Sequence, residues 1–237
     1  MAQIDLITQH DKKSPISEAY RSIRTNLQFA GAGKPIKIIS FTSATPGEGK
    51  STTISNIAVA MAQDNKRVLL MDCDMRKPVQ HKKFGLKNKG LSNCIATGAS
   101  FSEVVQHNVF ENLDVLPSGP VPPNPSELLG SEKMDELLKE AAAGYDYVLI
   151  DMPPVLPVTD AAVLAPKVDG VVCVVASGAI SPEEAKHSKE RLNQAGANIL
   201  GVILNKMPKQ HGTGYGYYYY YYYDEEHHKH KEHKKKK

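Results

Sequence analysis

Two segments of the chain carry side chains that could together transfer a phosphoryl group. Residues 44–52 read Ala-Thr-Pro-Gly-Glu-Gly-Lys-Ser-Thr, a phosphate-loop pattern in which Ala44 replaces the usual first glycine. Near the other end, a run of tyrosines offers phenolic hydroxyls as acceptors. A nucleotide site and a cluster of acceptors on one chain predict a kinase that phosphorylates itself. The predicted acceptors are Tyr215, Tyr217, Tyr218, Tyr219, Tyr220, Tyr221, Tyr222 and Tyr223.

The phosphate loop predicts binding of ATP with Mg²⁺, because its backbone amides and the N-terminus of the next helix would face the phosphates. Lys50 is expected to bridge the β- and γ-phosphates, and Ser51 to ligate Mg²⁺. An ordinary glycine turn is the weaker interpretation, because a strand pattern precedes the loop and a helix pattern follows it. The predicted nucleotide contacts are Thr45, Pro46, Gly47, Glu48, Gly49, Lys50, Ser51 and Thr52, with Asn205 as an adenine contact.

Three aspartates stand at the ends of apolar strand patterns. Asp72 and Asp74 fall on the same side of an alternating strand and would face the phosphates if that strand neighbours the first. Asp151 ends another apolar run and resembles a Walker B aspartate. We predict that Asp74 and Asp151 hold Mg²⁺ with Ser51. Asp72 is the predicted base, because a phenol releases its proton only near pH 10 without help.

Apolar, β-branched runs alternate with helical patterns along the chain. Several of these runs are continuous rather than alternating, which is typical of parallel strands covered on both faces. The pattern predicts a doubly wound α/β fold of the P-loop NTPase type, with helices on both faces of a mostly parallel sheet. The predicted strands are 36–42, 68–72, 113–116, 147–151, 170–176 and 199–205, and the predicted helices are 18–30, 50–63, 132–143, 159–165 and 183–194.

Composition divides the chain into three parts: a flexible N-terminus at 1–15, a kinase domain at 16–206, and a disordered tail at 207–237. The net charge of +3 lies largely in the tail, so a nucleic-acid partner is not expected. We find neither a leader pattern nor an apolar run near the ~20 residues a bilayer requires, which predicts a cytoplasmic chain. Cys73, Cys94 and Cys173 lack metal-binding spacing and are expected to be buried thiols.

From about residue 16 onward the chain resembles the bacterial tyrosine kinases of capsule and exopolysaccharide synthesis, in their Gram-positive cytoplasmic form. The motifs that carry the resemblance are the Pro-Gly-Glu-Gly-Lys-Ser loop, Asp72-x-Asp74 with Arg76-Lys77-Pro78, Asp151-x-Pro153-Pro154, Glu18-x-x-Arg21-x-x-Arg24 and the tyrosine cluster. Here the tyrosines are nearly contiguous, and His227, His228, His230 and His233 follow them with lysines. We interpret these histidines as a solvated stretch without fixed metal geometry.

The resemblance implies Mg²⁺- and ATP-dependent autophosphorylation between subunits. It also implies a transmembrane adaptor whose cytoplasmic tail recruits the kinase to the inner face of the membrane, a cognate tyrosine phosphatase, and substrates such as sugar-nucleotide enzymes. It places Glu18, Arg21 and Arg24 at the interface of a ring-shaped oligomer. A plain surface ion pair between Glu18 and Arg21 is the alternative. The interface is favoured because the second arginine would have no partner within the helix.

Two other functions compete with the kinase. A partitioning or division-site ATPase would switch between states with ATP, but such proteins carry a signature lysine where this chain has Thr45. A scaffold without catalysis would have no need of Lys50 together with the three aspartates. An assay with labelled ATP separates these functions by its product: phosphotyrosine, free phosphate, or neither.

Overall fold

The computed structural model describes residues 6–31 and 33–208. Within these residues a seven-stranded sheet forms the centre of the domain. Its strands are β1 (Ile38–Ser43), β2 (Val68–Asp72), β3 (Gln106–Phe110), β4 (Leu113–Leu116), β5 (Tyr147–Asp151), β6 (Gly170–Ala176) and β7 (Ile199–Asn205). Five of the six predicted strands have the predicted bounds. The first is shifted to a later start, where the N–H groups of Lys37 and Ile38 donate to the Asp169 side chain.

The strand order is β3-β4-β2-β5-β1-β6-β7. All neighbouring pairs are parallel except β3 with β4. The mostly parallel P-loop fold expected from the sequence is therefore confirmed. The condition that β2 neighbours β1 is not met, because β5 lies between them. The aspartate that ends β5 is consequently closer to the phosphate loop than the one that ends β2.

Ten α-helices are described, and four of them have 13 or more residues. The ten are α1 (Ile7–His10), α2 (Pro15–Phe29), α3 (Lys50–Ala62), α4 (Gln80–Lys83), α5 (Leu91–Thr97), α6 (Phe101–Val104), α7 (Pro125–Gly130), α8 (Glu132–Gly144), α9 (Asp160–Leu164) and α10 (Pro182–Gln194), with a 3₁₀ turn at Ala165–Lys167. The five predicted helices correspond to α2, α3, α8, α9 and α10. The sequence did not predict α1, α4, α5, α6, α7 or strand β3.

Every strand except β3 supplies side chains to two separate cores. On one face, Phe41 and Leu70 pack with Ile57 of α3. On the other face, Met71 and Ile150 pack with helices that include α8 and α10. Because alternate residues of a strand point to opposite faces, a continuous apolar run fills both cores at once. This explains why the continuous runs in the sequence marked the strands so well.

The start of α2 differs from its predicted position at Glu18. Ser14 caps the helix by accepting from the N–H of Ile16, and Pro15 occupies the first turn. Ser17, directly before the predicted start, is buried, and its hydroxyl donates to the carbonyls of Ile7 and Asp11. The helix therefore begins three residues earlier than predicted.

Residues 6–13 are not loosely held, which corrects the expectation for this part of the N-terminus. Leu6 is 2% exposed and packs in the core beside α3. The N–H and hydroxyl of Thr8 both donate to the Asn56 side chain, at 3.2 and 3.0 Å. The Gln63 amide donates to the Thr8 carbonyl at 2.9 Å. The segment therefore packs against α3 as part of the folded domain.

All three cysteines are buried free thiols, as expected. Burial raises the pKa of Cys173 to about 11 and raises the pKa of Cys73 well above its usual value. In the described ranges no helix is both long and apolar enough to cross a membrane.

Candidate active site at the phosphate loop

The phosphate loop takes a backbone shape that its glycines permit. Gly47 and Gly49 have φ angles of 85° and 93°, in the left-handed region that side chains disfavour. Gly49 directly precedes α3, whose first amides are left without helical partners and face the loop. A Cβ on Gly49 would lie 2.2 Å from the Asn205 amide nitrogen. The loop is therefore an anion-binding turn that tolerates no bulk at this position.

Lys50 lies at the centre of a cluster of predicted site residues. Its ammonium is 2.9 Å from Asp74 Oδ2, 3.3 Å from Asp151 Oδ1 and 3.2 Å from the Ser51 hydroxyl. Burial alone would lower the pKa of Lys50, but Asp151 and Asp74 together raise it, so the group stays charged. The structure thus brings together four residues that the motifs predicted. Carboxylates and a hydroxyl are the oxygen ligands that Mg²⁺ prefers.

Asp72, the predicted base, is not exposed at the surface of the site. It is fully buried and is the direct register partner of Asp151 across β2 and β5. One of its oxygens accepts from the N–H of Asp74, and the other accepts from the N–H groups of Val79 and Gln80. Burial and the charge of Asp151 raise the pKa of Asp72 to about 7 against the opposing effect of these bonds. Asp72 therefore organises the turn after β2, and its role as base stays a prediction.

Gln80 is a site residue that the sequence analysis missed. Its side chain is fully buried; the amide nitrogen donates to Asp151 Oδ2 at 2.7 Å and to the Ser51 carbonyl at 3.2 Å. Its oxygen accepts from the Ser55 hydroxyl at 2.8 Å. Gln80 thereby fixes Asp151 against the first turns of α3. The sequence contained no signal beyond a polar residue close to Asp74, because the partners are 25 to 71 residues away in the chain.

Glu48 does not present its carboxylate to the phosphates. The side chain is 1% exposed; one oxygen accepts from the N–H and hydroxyl of Thr45, and the other from the N–H of Ala176. It braces the loop from inside, against the end of β6. Any contact of Glu48 with a nucleotide is thus left to its backbone.

The end of β7 and the residue after it contact the phosphate loop directly. The Asn205 amide donates to the Glu48 carbonyl at 2.9 Å, and the Lys206 ammonium donates to the Gly47 carbonyl at 2.7 Å. The backbone φ angle of Lys206 is 54°, which is uncommon for a residue other than glycine. The end of β7 is therefore joined to the loop, and the adenine contact of Asn205 stays a prediction.

The arginines of α2 are both engaged within the chain. Arg21 pairs with Glu18 at 2.6 Å and donates to the Lys12 carbonyl. Arg24 donates to the Ala60 carbonyl of α3 and lies 3.6 Å from Asp64. Arg24 has no partner within α2, as expected, but its partners Ala60 and Asp64 lie elsewhere in the same chain. The predicted oligomer interface loses that support and stays a prediction. The acceptors Tyr215 and Tyr217 to Tyr223 lie outside the described residues.

A phosphate loop after the first strand of a mostly parallel sheet defines a P-loop nucleotide-binding domain. Residues 36–187 match the family described as AAA domain. The chain is 46% identical to the tyrosine-protein kinase YwqD of Bacillus subtilis, over 91% of each chain. Its structure resembles that of the chimerical protein CapA2B2 with a TM-score of 0.83 and 44% identity, covering 86% of this chain and 90% of that one.

A more distant similarity extends to the septum site-determining protein MinD of Pyrococcus horikoshii, solved with Mg-ADP. Its TM-score is 0.63 at 27% identity, covering 73% of this chain and 72% of that one. The fold is thus shared with a septum site-determining protein solved with Mg-ADP, whereas the high identity is to kinases. The chain belongs to the bacterial tyrosine-protein kinase family, and the enzyme class predicted from its motifs is confirmed.

Proposed function

We propose that this kinase transfers the γ-phosphoryl group of ATP, with Mg²⁺, to the tyrosines of residues 215–223 on a neighbouring copy of the chain. The observation that carries the proposal is the cluster around Lys50, where Ser51, Asp74 and Asp151 converge within 3.3 Å of one ammonium. MinD, which shares the fold, was solved with Mg-ADP, and this supports the same type of cofactor here.

The residues of the cluster divide the work between them. Lys50 and the loop amides would hold the β- and γ-phosphates in line with the acceptor, and Gln80 would keep Asp151 in place. Ser51, Asp74 and Asp151 would hold Mg²⁺, which neutralises charge on the phosphates when bound. Asp72 is the proposed base, because its pKa of about 7 is nearer to that of a phenol than an ordinary carboxyl's.

In the cell we propose that the kinase regulates capsule or exopolysaccharide synthesis. A transmembrane adaptor would recruit it to the inner face of the membrane and activate it through a cytoplasmic tail. The chimeric form of the solved relative CapA2B2 supports a second polypeptide as partner. A ring of subunits with Glu18, Arg21 and Arg24 at its interface, a cognate phosphatase, and sugar-nucleotide enzymes as substrates complete the proposal.

The experiment measures phosphotyrosine on the purified chain with Mg-ATP, alone and with the cytoplasmic tail of a candidate adaptor. Transfer between copies is tested by mixing two chains: Lys50→Met with its tyrosines intact, and a chain ending at residue 208 with Lys50 unchanged. Label on the Lys50→Met chain is the expected result, since only the other chain can donate. Label on neither chain, with and without the adaptor, would contradict the proposal.

A switch ATPase without kinase activity is the second candidate, and the shared fold with MinD favours it. Thr45 in place of the signature lysine weighs against it. It predicts release of inorganic phosphate with no labelled tyrosine in the same assay, so one experiment separates the two.

A further inference from the structure

A strongly basic surface borders the phosphate loop. Residues 76–89 contain seven basic side chains and no acidic one, whereas the whole chain carries a net charge of only +3. Four of these side chains are exposed lysines that we call the lysine surface: Lys77, Lys82, Lys87 and Lys89. Concentrated positive charge of this kind attracts an anionic partner and speeds its association.

The lysine surface is not neutralised by the chain itself. In the described part of the protein, no carboxylate lies within 4.0 Å of any of its four ammonium groups. Arg76, in the same segment, pairs with Asp160, and Lys133 elsewhere pairs with Glu136. Four unpaired cations on one short segment repel one another, so packing does not account for them. They are available to a ligand.

The lysine surface lies at the edge of the candidate active site. The Lys77 N–H donates to Asp74 Oδ1 at 3.0 Å, so the segment begins at the site aspartates. Helix α4, which carries Lys82, is held to Ser51 and Asp151 through Gln80. Lys83 in the next position donates to the Thr52 hydroxyl at 2.8 Å. An anion bound at Lys77 and Lys82 would therefore be close to the phosphate loop.

We infer that the lysine surface binds the phosphorylated tyrosine segment, residues 215–223, of a neighbouring copy. This inference rests on the proposed function, which supplies the phosphates. Each phosphotyrosine adds about −1.5 to −2 charges at pH 7, and Asp224, Glu225 and Glu226 follow the tyrosines directly. The segment becomes the strongest anion of the chain as it is modified. The charges are thus complementary only after the first transfer.

If the lysine surface retains the segment after its first phosphorylation, the next tyrosines of the same segment are phosphorylated before the segment dissociates. Each transfer breaks the bond from the γ-phosphorus to the ADP oxygen and forms a bond to the phenolic oxygen, releasing ADP and a proton. Because the tyrosines are nearly contiguous, a phosphate held on the lysine surface keeps the next hydroxyl near the loop at a raised effective concentration. The active site therefore does not have to distinguish one tyrosine of the segment from another.

A membrane surface is the other anionic partner to consider, since clustered lysines also bind anionic lipids. Lys77 and Lys82, in the first half of the lysine surface, lie beside residues that contact the phosphate loop. A bilayer held there would cover the entrance that an acceptor tyrosine needs. The phosphorylated segment is therefore the partner that the position of the surface favours.

The binding test uses the full dephosphorylated chain and synthetic peptides of residues 212–226 with either no phosphotyrosine or three. The test variant is Lys82→Gln/Lys87→Gln/Lys89→Gln. The matched control, Lys34→Gln/Lys139→Gln/Lys189→Gln, removes the same charge at exposed lysines on other elements. We expect the triply phosphorylated peptide to bind the test variant about 10-fold more weakly than the wild type or the control. Equal binding to all three chains would overturn the inference.

The kinetic test counts phosphates per chain by mass spectrometry while most chains are still unmodified. The wild type and control should show multiply phosphorylated chains beside unmodified ones, and the test variant should accumulate singly phosphorylated chains first. The same distribution in all three would overturn the inference, as would binding of anionic vesicles but not of phosphopeptide. Peptide binding needs no catalysis, so a chain that labels no tyrosine refutes the proposed function without deciding this result.

Discussion

At the scale of single residues, the site depends on contacts that fix the charged groups as much as on the charged groups themselves. Lys50 contacts two carboxylates, and one of these, Asp151, is fixed in turn by the buried Gln80 amide. Partners of this kind orient metal ligands and commonly change metal affinity when removed. A substitution at Gln80 therefore tests how the orientation of Asp151 affects Mg²⁺ binding, without removing a Mg²⁺ ligand.

Replacing Gln80 by Leu should lower the affinity of the site for Mg²⁺, because it releases Asp151. We expect the Mg²⁺ concentration for half-maximal phosphorylation to rise about 10-fold, measured by titration at saturating ATP. Gln63→Leu is the matched control, because it removes one hydrogen bond of a part-buried glutamine to Thr8, far from the site. Identical titrations for the two variants would mean that Gln80 only packs.

The motifs predicted Lys50, Ser51, Asp74 and Asp151 correctly as neighbours, because the phosphate loop and the strand ends must meet at one edge of a parallel sheet. They could not predict that Glu48 faces inward, since its partner Ala176 is 128 residues away. A side chain's direction depends on such distant contacts, and a motif records only local spacing.

At the scale of elements, prediction succeeded where a segment buries apolar side chains regularly. The continuous runs of β2, β5 and β6 allowed no other interpretation. The missed elements are short or polar: α4 and α6 have four residues each, and β3 is a largely exposed antiparallel edge strand. Four residues make barely one helical turn, so no periodicity can identify them.

The N-terminal layer should contribute measurably to stability although the sequence suggested a loose segment. Leu6→Ala leaves a cavity beside α3 and should lower the free energy of unfolding by about 2 kcal/mol, measured by urea denaturation. Ile16→Ala, at a side chain that is 55% exposed, is the control and should shift it by less than about 0.5 kcal/mol. Equal effects would show that Leu6 contributes no more than a surface residue.

At the scale of the whole molecule, the candidate site joins parts of the chain that are far apart in sequence. The phosphate loop contacts Asn205 and Lys206 at the end of β7, while Lys50 contacts the ends of β2 and β5. A ligand that occupies this site therefore binds only the assembled sheet. Its binding free energy adds to the stability of the entire domain.

Mg-ADP at 100 times its dissociation constant should raise the free energy of unfolding by about 2.7 kcal/mol. The measurement is a urea or thermal unfolding series with and without the nucleotide. The Lys50→Met chain should show a much smaller increase at the same concentration, because it lacks the cation that meets the phosphates. An equal increase in both chains would mean that the nucleotide binds elsewhere.

The three buried thiols can report how often the structure around each of them opens. Cys73 stands between Asp72 and Asp74 and is completely shielded, while Cys94 and Cys173 lie shielded elsewhere in the fold. A thiol-specific reagent can reach each sulfur only when its surroundings open. The rate at which Cys73 is modified, compared with the rates for Cys94 and Cys173, therefore reports how often this edge of the sheet opens in the native protein. The measurement needs no added label.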